Sequence, residues 1–221
     1  MKLTSIICAA LLTAPVAALD AAGLKLAALF SDHRVLQGDM PVPVWGWADP
    51  GQEVCVSIAG QTKSAIADAS GKWSVTLDKM KPGTSATMTV KGMNTITIND
   101  VVVGEVWLGS GQSNMAMRVS GANDFQEEQK AANFPGIRMF KEESASATTR
   151  QTVGAGRWVI CAPDTVGAFS ATLYFFGRAG GNNMSGFWRR GGVCKTAKAR
   201  DDQHGTSATS VGRWSSHNEV R

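Results

Sequence analysis

The sequence predicts a mixed β and α/β chain, an N-terminal antiparallel β-sandwich followed by the opening part of an α/β domain. Three observations carry that expectation. Between Leu26 and Asp100, short β-forming runs alternate with Gly, Pro, Asp and Asn clusters at the spacing of a small sandwich. Residues 101–103 and 106–108 then form an apolar stretch suited to a strand buried on both faces, and it breaks at Gly109-Ser-Gly111. Further on, Phe169, Leu173 and Phe176 recur at helical spacing and read as core.

Taken in order, residues 1–18 carry one lysine, then an apolar run from Ile6 that ends in Val16-Ala-Ala18. That pattern reads as a secretory signal peptide, too short and alanine-rich for a stable span, and it points to a secreted or periplasmic protein with no membrane segment after cleavage. Cys8 lies inside the run with no lipobox before it, so no lipid anchor is expected. Three cysteines remain after cleavage, Cys55, Cys161 and Cys194, an odd number that allows no pairing to be assigned.

The sandwich is expected over 19–100, with strands at 42–48, 54–58, 62–67, 73–77, 86–90 and 95–98. Alternation in Trp73-Ser-Val-Thr-Leu77 and Thr95-Ile-Thr-Ile98 gives each of those strands one buried and one wet face. Trp45 and Trp47 stand two apart and so share a face; packing in the core or against a neighbouring domain outweighs a sugar-stacking platform. The α/β part is expected over 101–178. It holds a helix-compatible stretch at 124–132, a second parallel strand at 137–140, a loop at 142–156, a short strand at 157–161, and Pro163-Asp-Thr165, which can start a helix.

The tail, 179–221, differs in kind. It shows no sustained period of 2 or 3.6, carries glycine and Ser/Thr clusters, and has few aliphatic residues, so it is expected not to build a core. Charge divides the same way: residues 19–178 have fourteen Lys plus Arg against fifteen Asp plus Glu, a net of −1, while the tail has seven against three, a net of +4. The basic pI near 9.0 therefore belongs to the tail and gives no warrant for nucleic-acid or membrane binding.

From Gly104 the chain reads Gly-Glu-Val-Trp-Leu-Gly-Ser-Gly-Gln-Ser-Asn-Met115. A serine just past a glycine break at the end of a strand sits on a sharp turn. Such a turn pushes the hydroxyl outward and leaves N–H groups free to hold a developing oxyanion. An isolated Gly-x-Ser is more often an ordinary loop, but here the match is long. Glu105-Val-Trp-Leu-Gly-Ser-Gly-Gln-Ser-Asn-Met115 resembles the nucleophile block of the sialate O-acetylesterase family, which belongs to the SGNH (GDSL-like) hydrolases. The likeness extends through Leu29-Phe-Ser-Asp-His-Arg-Val-Leu-Gln37, Pro41-Val-Pro-Val-Trp-Gly-Trp-Ala-Asp-Pro-Gly51, Trp158-Val-Ile-Cys-Ala-Pro-Asp-Thr-Val166 and Phe169-Ser-Ala-Thr-Leu-Tyr-Phe-Phe-Gly-Arg178. It thus covers roughly residues 26–178 and stops there.

The resemblance implies an SGNH-type doubly wound α/β domain, incomplete here, in which Ser113 attacks an acetyl ester without metal or cofactor. Its own N–H, a later glycine and a later asparagine would form the oxyanion hole, and a histidine and aspartate near the end of the domain would complete the triad. Within 26–178 the one histidine is His33, in a block that matches a structural segment of the family, so it is expected to be structural. The tail spells Asp201-Asp-Gln-His204 with the Asp-x-x-His spacing of the acid/base block, but two of the four letters are free and the family surroundings are missing, so coincidence is favoured. His217 has less context still.

Other departures matter. Ala116 stands where relatives often carry an acid, and Gly109 where they often carry a cysteine, which removes any bridge from Cys161 to that strand. Asn114 can orient the turn. Arg118 can meet a substrate carboxylate, although a solvated helix arginine is the commoner role. The expectation is a carbohydrate O-acetylesterase acting through an acyl-serine on an O-acetylated sugar, its chain truncated or frame-shifted after residue 178, with a natural disordered tail over 179–221 as the milder alternative, and inactive or nearly so as written. The competing reading is a secreted carbohydrate-binding or interaction protein that uses the sandwich and does no chemistry. Nothing in the residues assigns an oligomeric state.

Overall fold

The computed structural model describes residues 23–111, 113–143, 153–183, 191–195 and 210–213. The expected signal peptide lies outside the described residues. The chain is mostly β with few helices, arranged in three sheets.

Two of these sheets come from the first 104 residues. The strands form close to where the sequence places them: β3 (Val42–Trp47), β4 (Glu53–Ile58), β5 (Gln61–Ile66), β6 (Lys72–Leu77), β7 (Ser85–Lys91) and β8 (Thr95–Gly104), preceded by β1 (Lys25–Leu26) and β2 (Val35–Gln37). The last two are too short to leave a readable pattern. One sheet has the order β1-β3-β6, the other β2-β8-β7-β4-β5. Pairing is antiparallel except between β2 and β8. The period-2 pattern decides the layering. Val42 and Val44, Trp73, Val75 and Leu77, Val54, Val56 and Ile58, and Met88 and Val90 all turn inward, and residues from both sheets share one apolar core. Each large aliphatic side chain buried this way contributes about 1.5–3 kcal/mol. Trp45 and Trp47 are half-buried against the same core, with Trp45 edge-on to Phe30 at 4.9 Å, which is the packing role expected of them. The β4–β5 hairpin turns on Ala59 and Gly60, with φ of 49° and 79°, the left-handed pair that a two-residue turn needs.

The apolar stretch read as one strand over 101–108 is two. Residues 101–104 end β8, paired with β2 and β7, and Glu105 breaks the run before β9 (Val106–Ser110) enters a different sheet. The cause is local. The Gln37 side-chain carbonyl accepts the Val106 N–H at 2.9 Å, its amide donates to Glu105 at 3.3 Å, and the Gly38 N–H donates to Gly104 O at 2.9 Å. The sequence division after Asp100 therefore falls inside β8.

The third sheet has the order β11-β10-β12-β9-β13, where β10 is Phe134–Lys141, β11 Trp158–Cys161, β12 Gly191–Lys195 and β13 Ser210–Arg213. Strands β9, β12 and β10 run parallel, and β11 and β13 pair antiparallel at the edges. The tail, which shows no sustained period in sequence, carries regular pieces where it is described. The helix α3 (Ala171–Asn183) continues past Arg178, β12 lies between the two expected parallel strands, and β13 borders β9. Gly-Gly-Val-Cys-Lys and Ser-Val-Gly-Arg are too short to show a period, so neither leaves a signal. The expected helix at 124–132 is α2 (Phe125–Ala131), and 142–156 is irregular where described, closed by Glu143 N–H to Ala155 O at 2.9 Å.

Candidate active site

Strand β9 sets the site. Its side chains alternate: Val106 and Leu108 pack with Val35, Val102, Phe140 and Trp158 on one face. On the other face Trp107 meets the Phe176 ring at 5.2 Å, and a Cβ added to Gly109 would lie 2.5 Å from Leu173 Cδ2. Leu173 is fully buried, so the missing side chain at 109 is the room α3 needs to lie on the strand. A cysteine there would displace it.

Past Gly111 the chain turns into α1 (Ser113–Ala116). Ser113 and Asn114 are exposed, and Met115 beneath them is wholly buried. The sequence expectation of a serine presented just beyond a strand is thus what the structure places there. A four-residue helix is too short to be stable by itself; at its end the Met117 N–H donates to Ser113 O at 2.8 Å. Further bonds to its carbonyls come from three consecutive residues at the start of α3. Thr172 Oγ1 donates to Asn114 O at 3.0 Å, Ser170 Oγ to Met115 O at 2.6 Å, and the Ala171 N–H to Met117 O at 2.9 Å. Alongside, Arg118 and Ser170 form an antiparallel bridge and Val119 N–H donates to Phe169 O at 3.0 Å. Further along α3, the Tyr174 hydroxyl donates to Glu128 at 3.2 Å and Arg178 pairs with the same carboxylate, which fixes α3 against α2. Burial, followed by the Glu128 charge, pushes the Tyr174 hydroxyl up to about 12.

The histidine is elsewhere. His33 Nδ1 lies 2.7 Å from Asp100 Oδ2, and Arg138 donates through one nitrogen to both oxygens of Asp100, at 2.9 and 3.2 Å. Both His33 and Asp100 have left-handed backbones, with φ of 65° and 52°. Register places this cluster at the wrong end for chemistry with Ser113. Arg138 is level with Gly192, which is level with Val106 at the start of β9, and the guanidinium points back to Pro135 O at 2.6 Å. From Val106 to Ser110 the strand advances ~13 Å away from it. His33 is a bonded structural histidine, as expected.

The remaining candidates divide clearly. Arg118 is exposed on the segment that follows Ser113. Cys161 is a free, buried thiol pushed up to about 12 by burial, and Cys55 is free and half-buried. Asp201, His204 and His217 lie outside the described residues. Among the described residues no group of three or more His, Cys, Asp and Glu is placed to hold a metal ion, and no helix is long and apolar enough to cross a membrane. The residues that sequence reasoning missed are Ser170 and Thr172. Both stand in the block 169–178, but their partners are main-chain carbonyls, which have no sequence signature.

The chain is similar to curated sialate O-acetylesterases: 36% identical over 131 residues to the mouse protein, covering 53% of this chain and 24% of that one. To the human protein it is 37% identical over 109 residues, covering 44% and 21%. Among solved structures, a carbohydrate acetylesterase from Xanthomonas citri matches with a TM-score of 0.73 and 33% identity, over 78% of this chain and 40% of that one. No family profile matches the chain. The resemblance expected from the motifs is found, and the chain spans about a quarter of the length of the curated relatives it matches.

Proposed function

We propose that this chain is the nucleophile-bearing part of a secreted or periplasmic carbohydrate O-acetylesterase, similar to the sialate O-acetylesterases. In that reading the two sheets of the first 104 residues form a sandwich domain, and the third sheet is the opening part of an SGNH-type domain. The observation that carries it is the setting of Ser113: exposed, just past a central parallel strand, on a turn fixed by the start of α3. The similarity to a carbohydrate acetylesterase structure over 78% of the chain supports the same reading.

In the reaction, the Ser113 hydroxyl gives its proton to a base and its oxygen attacks the acetyl carbonyl. The sugar hydroxyl leaves with a proton, and water then releases acetate from the acyl-serine. The described residues contribute the nucleophile; His33, bonded to Asp100 and a strand length away, is not the base. Treatment with a fluorophosphonate, followed by site-resolved mass spectrometry, tests the reading. The expected result is a slow adduct on Ser113, formed in preference to the other serines because the turn and its N–H groups still favour attack without a base from the described residues, and lost in Ser113→Ala. A protein that only binds carbohydrate through its first two sheets gives no preferred serine.

A further inference from the structure

We propose that Ser170 and Thr172 are positioning residues for Ser113, fixing its turn through the carbonyls of Met115 and Asn114; this deepens the esterase reading and rests on it for its catalytic consequence. A nucleophile needs a defined backbone direction, because its hydroxyl must reach carbonyl and base within a few tenths of an ångström. The sequence around Ser113 cannot supply that direction. Its helix is four residues long, too short to be stable by itself, and follows the flexible Gly109-Ser-Gly111. Without outside donors, the carbonyls of Asn114, Met115 and Met117 would be left without protein partners at a helix end, and that of Met115 lies over a fully buried side chain.

The segment 170–172 meets those three carbonyls with two hydroxyls and one N–H, at 3.0, 2.6 and 2.9 Å. Ser170 is itself buried, so its hydroxyl bond is not exchanged with solvent. The clamp cannot drift relative to the strand, because the next turn of the same helix is wedged onto Gly109 through Leu173 and onto Trp107 through Phe176. Strand, turn and clamp therefore form one closed loop of contacts, in which the direction of Ser113 is set by α3 and not by its own helix. Ser170 stands at the N-cap of α3, its carbonyl taking the Tyr174 N–H at 2.9 Å, yet its hydroxyl bonds Met115 O; Thr172, in the first turn, is a poorer helix former than alanine.

The test uses the full chain in four forms: wild type, Ser170→Ala, Thr172→Val, which keeps the shape and removes the hydroxyl, and Thr172→Ser, which keeps the hydroxyl. Two quantities are read: hydrogen exchange of the Met117 amide, which donates to Ser113 O, relative to the Val90 amide in β7, and the fluorophosphonate labelling rate at Ser113. Expected for Ser170→Ala and Thr172→Val is Met117 exchange faster on the order of tenfold with Val90 unchanged, the size of one lost hydrogen bond. Labelling should slow to a similar degree at saturating probe, and Thr172→Ser should restore both. Unchanged Met117 exchange, or an equal rise at Val90, overturns the proposal. So does faster exchange with undiminished labelling, which would make the clamp structural only. A wild-type chain that never labels contradicts the esterase reading instead, and the exchange data then decide the clamp alone.

Discussion

The Ser113 turn and the His33–Asp100 cluster each hold part of what a serine hydrolase uses, and they are built in opposite ways. The cluster has a histidine bonded to a carboxylate at 2.7 Å, two members of a triad in contact, but its third partner is the buried guanidinium of Arg138. The turn has an exposed serine, and its bonds run to main-chain carbonyls from Ser170, Ala171 and Thr172. The cluster joins β8 to β10; the turn opens on solvent at the far end of β9. A histidine–aspartate contact is thus no evidence of catalysis by itself. What matters is the sheet end on which it lies.

The comparison would break first on turnover. The 221-residue chain is expected to release acetate from O-acetylated sugars on the order of 10⁴–10⁶ more slowly than a complete triad does, because no described residue delivers a base to Ser113. His204→Ala should leave that rate where it was. Triad-like turnover abolished by His204→Ala would show that Asp201 and His204 complete the site. Next comes the packing beneath the turn. Leu173→Ala should lower stability by about 2–5 kcal/mol, and Gly109→Ala by about 1–3 kcal/mol, since the new methyl must push Leu173 aside; urea midpoints measure both. The cluster should respond more mildly. Asp100→Ala leaves Arg138 buried without its carboxylate, and the partial exposure of Asp100 limits the loss to about 1–3 kcal/mol, read in the same titration. The smallest effect concerns Cys161. With its thiol raised to about 12 by burial, Cys161 is held as the thiol at pH 8, and the thiolate grows only as pH rises toward that value. Iodoacetamide at pH 8 should modify Cys55 and spare Cys161 in the native chain, while both react in urea.

Much of this contrast was legible in the residues, and the parts that were not have physical reasons. β-forming runs set off by Gly, Pro, Asp and Asn located six strands of the first two sheets within a residue or two at most ends, and period-2 alternation marked the buried face of two of them on a shared core. The main exception is β8, which runs on through Gly104. Its end escaped because Val101–Val103 and Val106–Leu108 are equally apolar, and the ladder between them is broken by Gln37 and Gly38, some seventy residues away in sequence. Strands β12 and β13 escaped because four or five residues set no period and their partners are distant. Ser113 was readable from its own surroundings. Its clamp was not, since a hydroxyl bonded to a carbonyl looks like any surface serine or threonine until the chain is folded.

The account's central claim is that Ser113 owes its position to α3 and nothing to His33. The most direct measurement compares the fluorophosphonate labelling rate at Ser113 in wild type, His33→Ala and Ser170→Ala, with folding checked by the urea midpoint of each. The predicted result is a His33→Ala rate within twofold of wild type and a Ser170→Ala rate lower on the order of tenfold. A rate that collapses in His33→Ala and survives in Ser170→Ala would contradict the account and return the histidine to the chemistry.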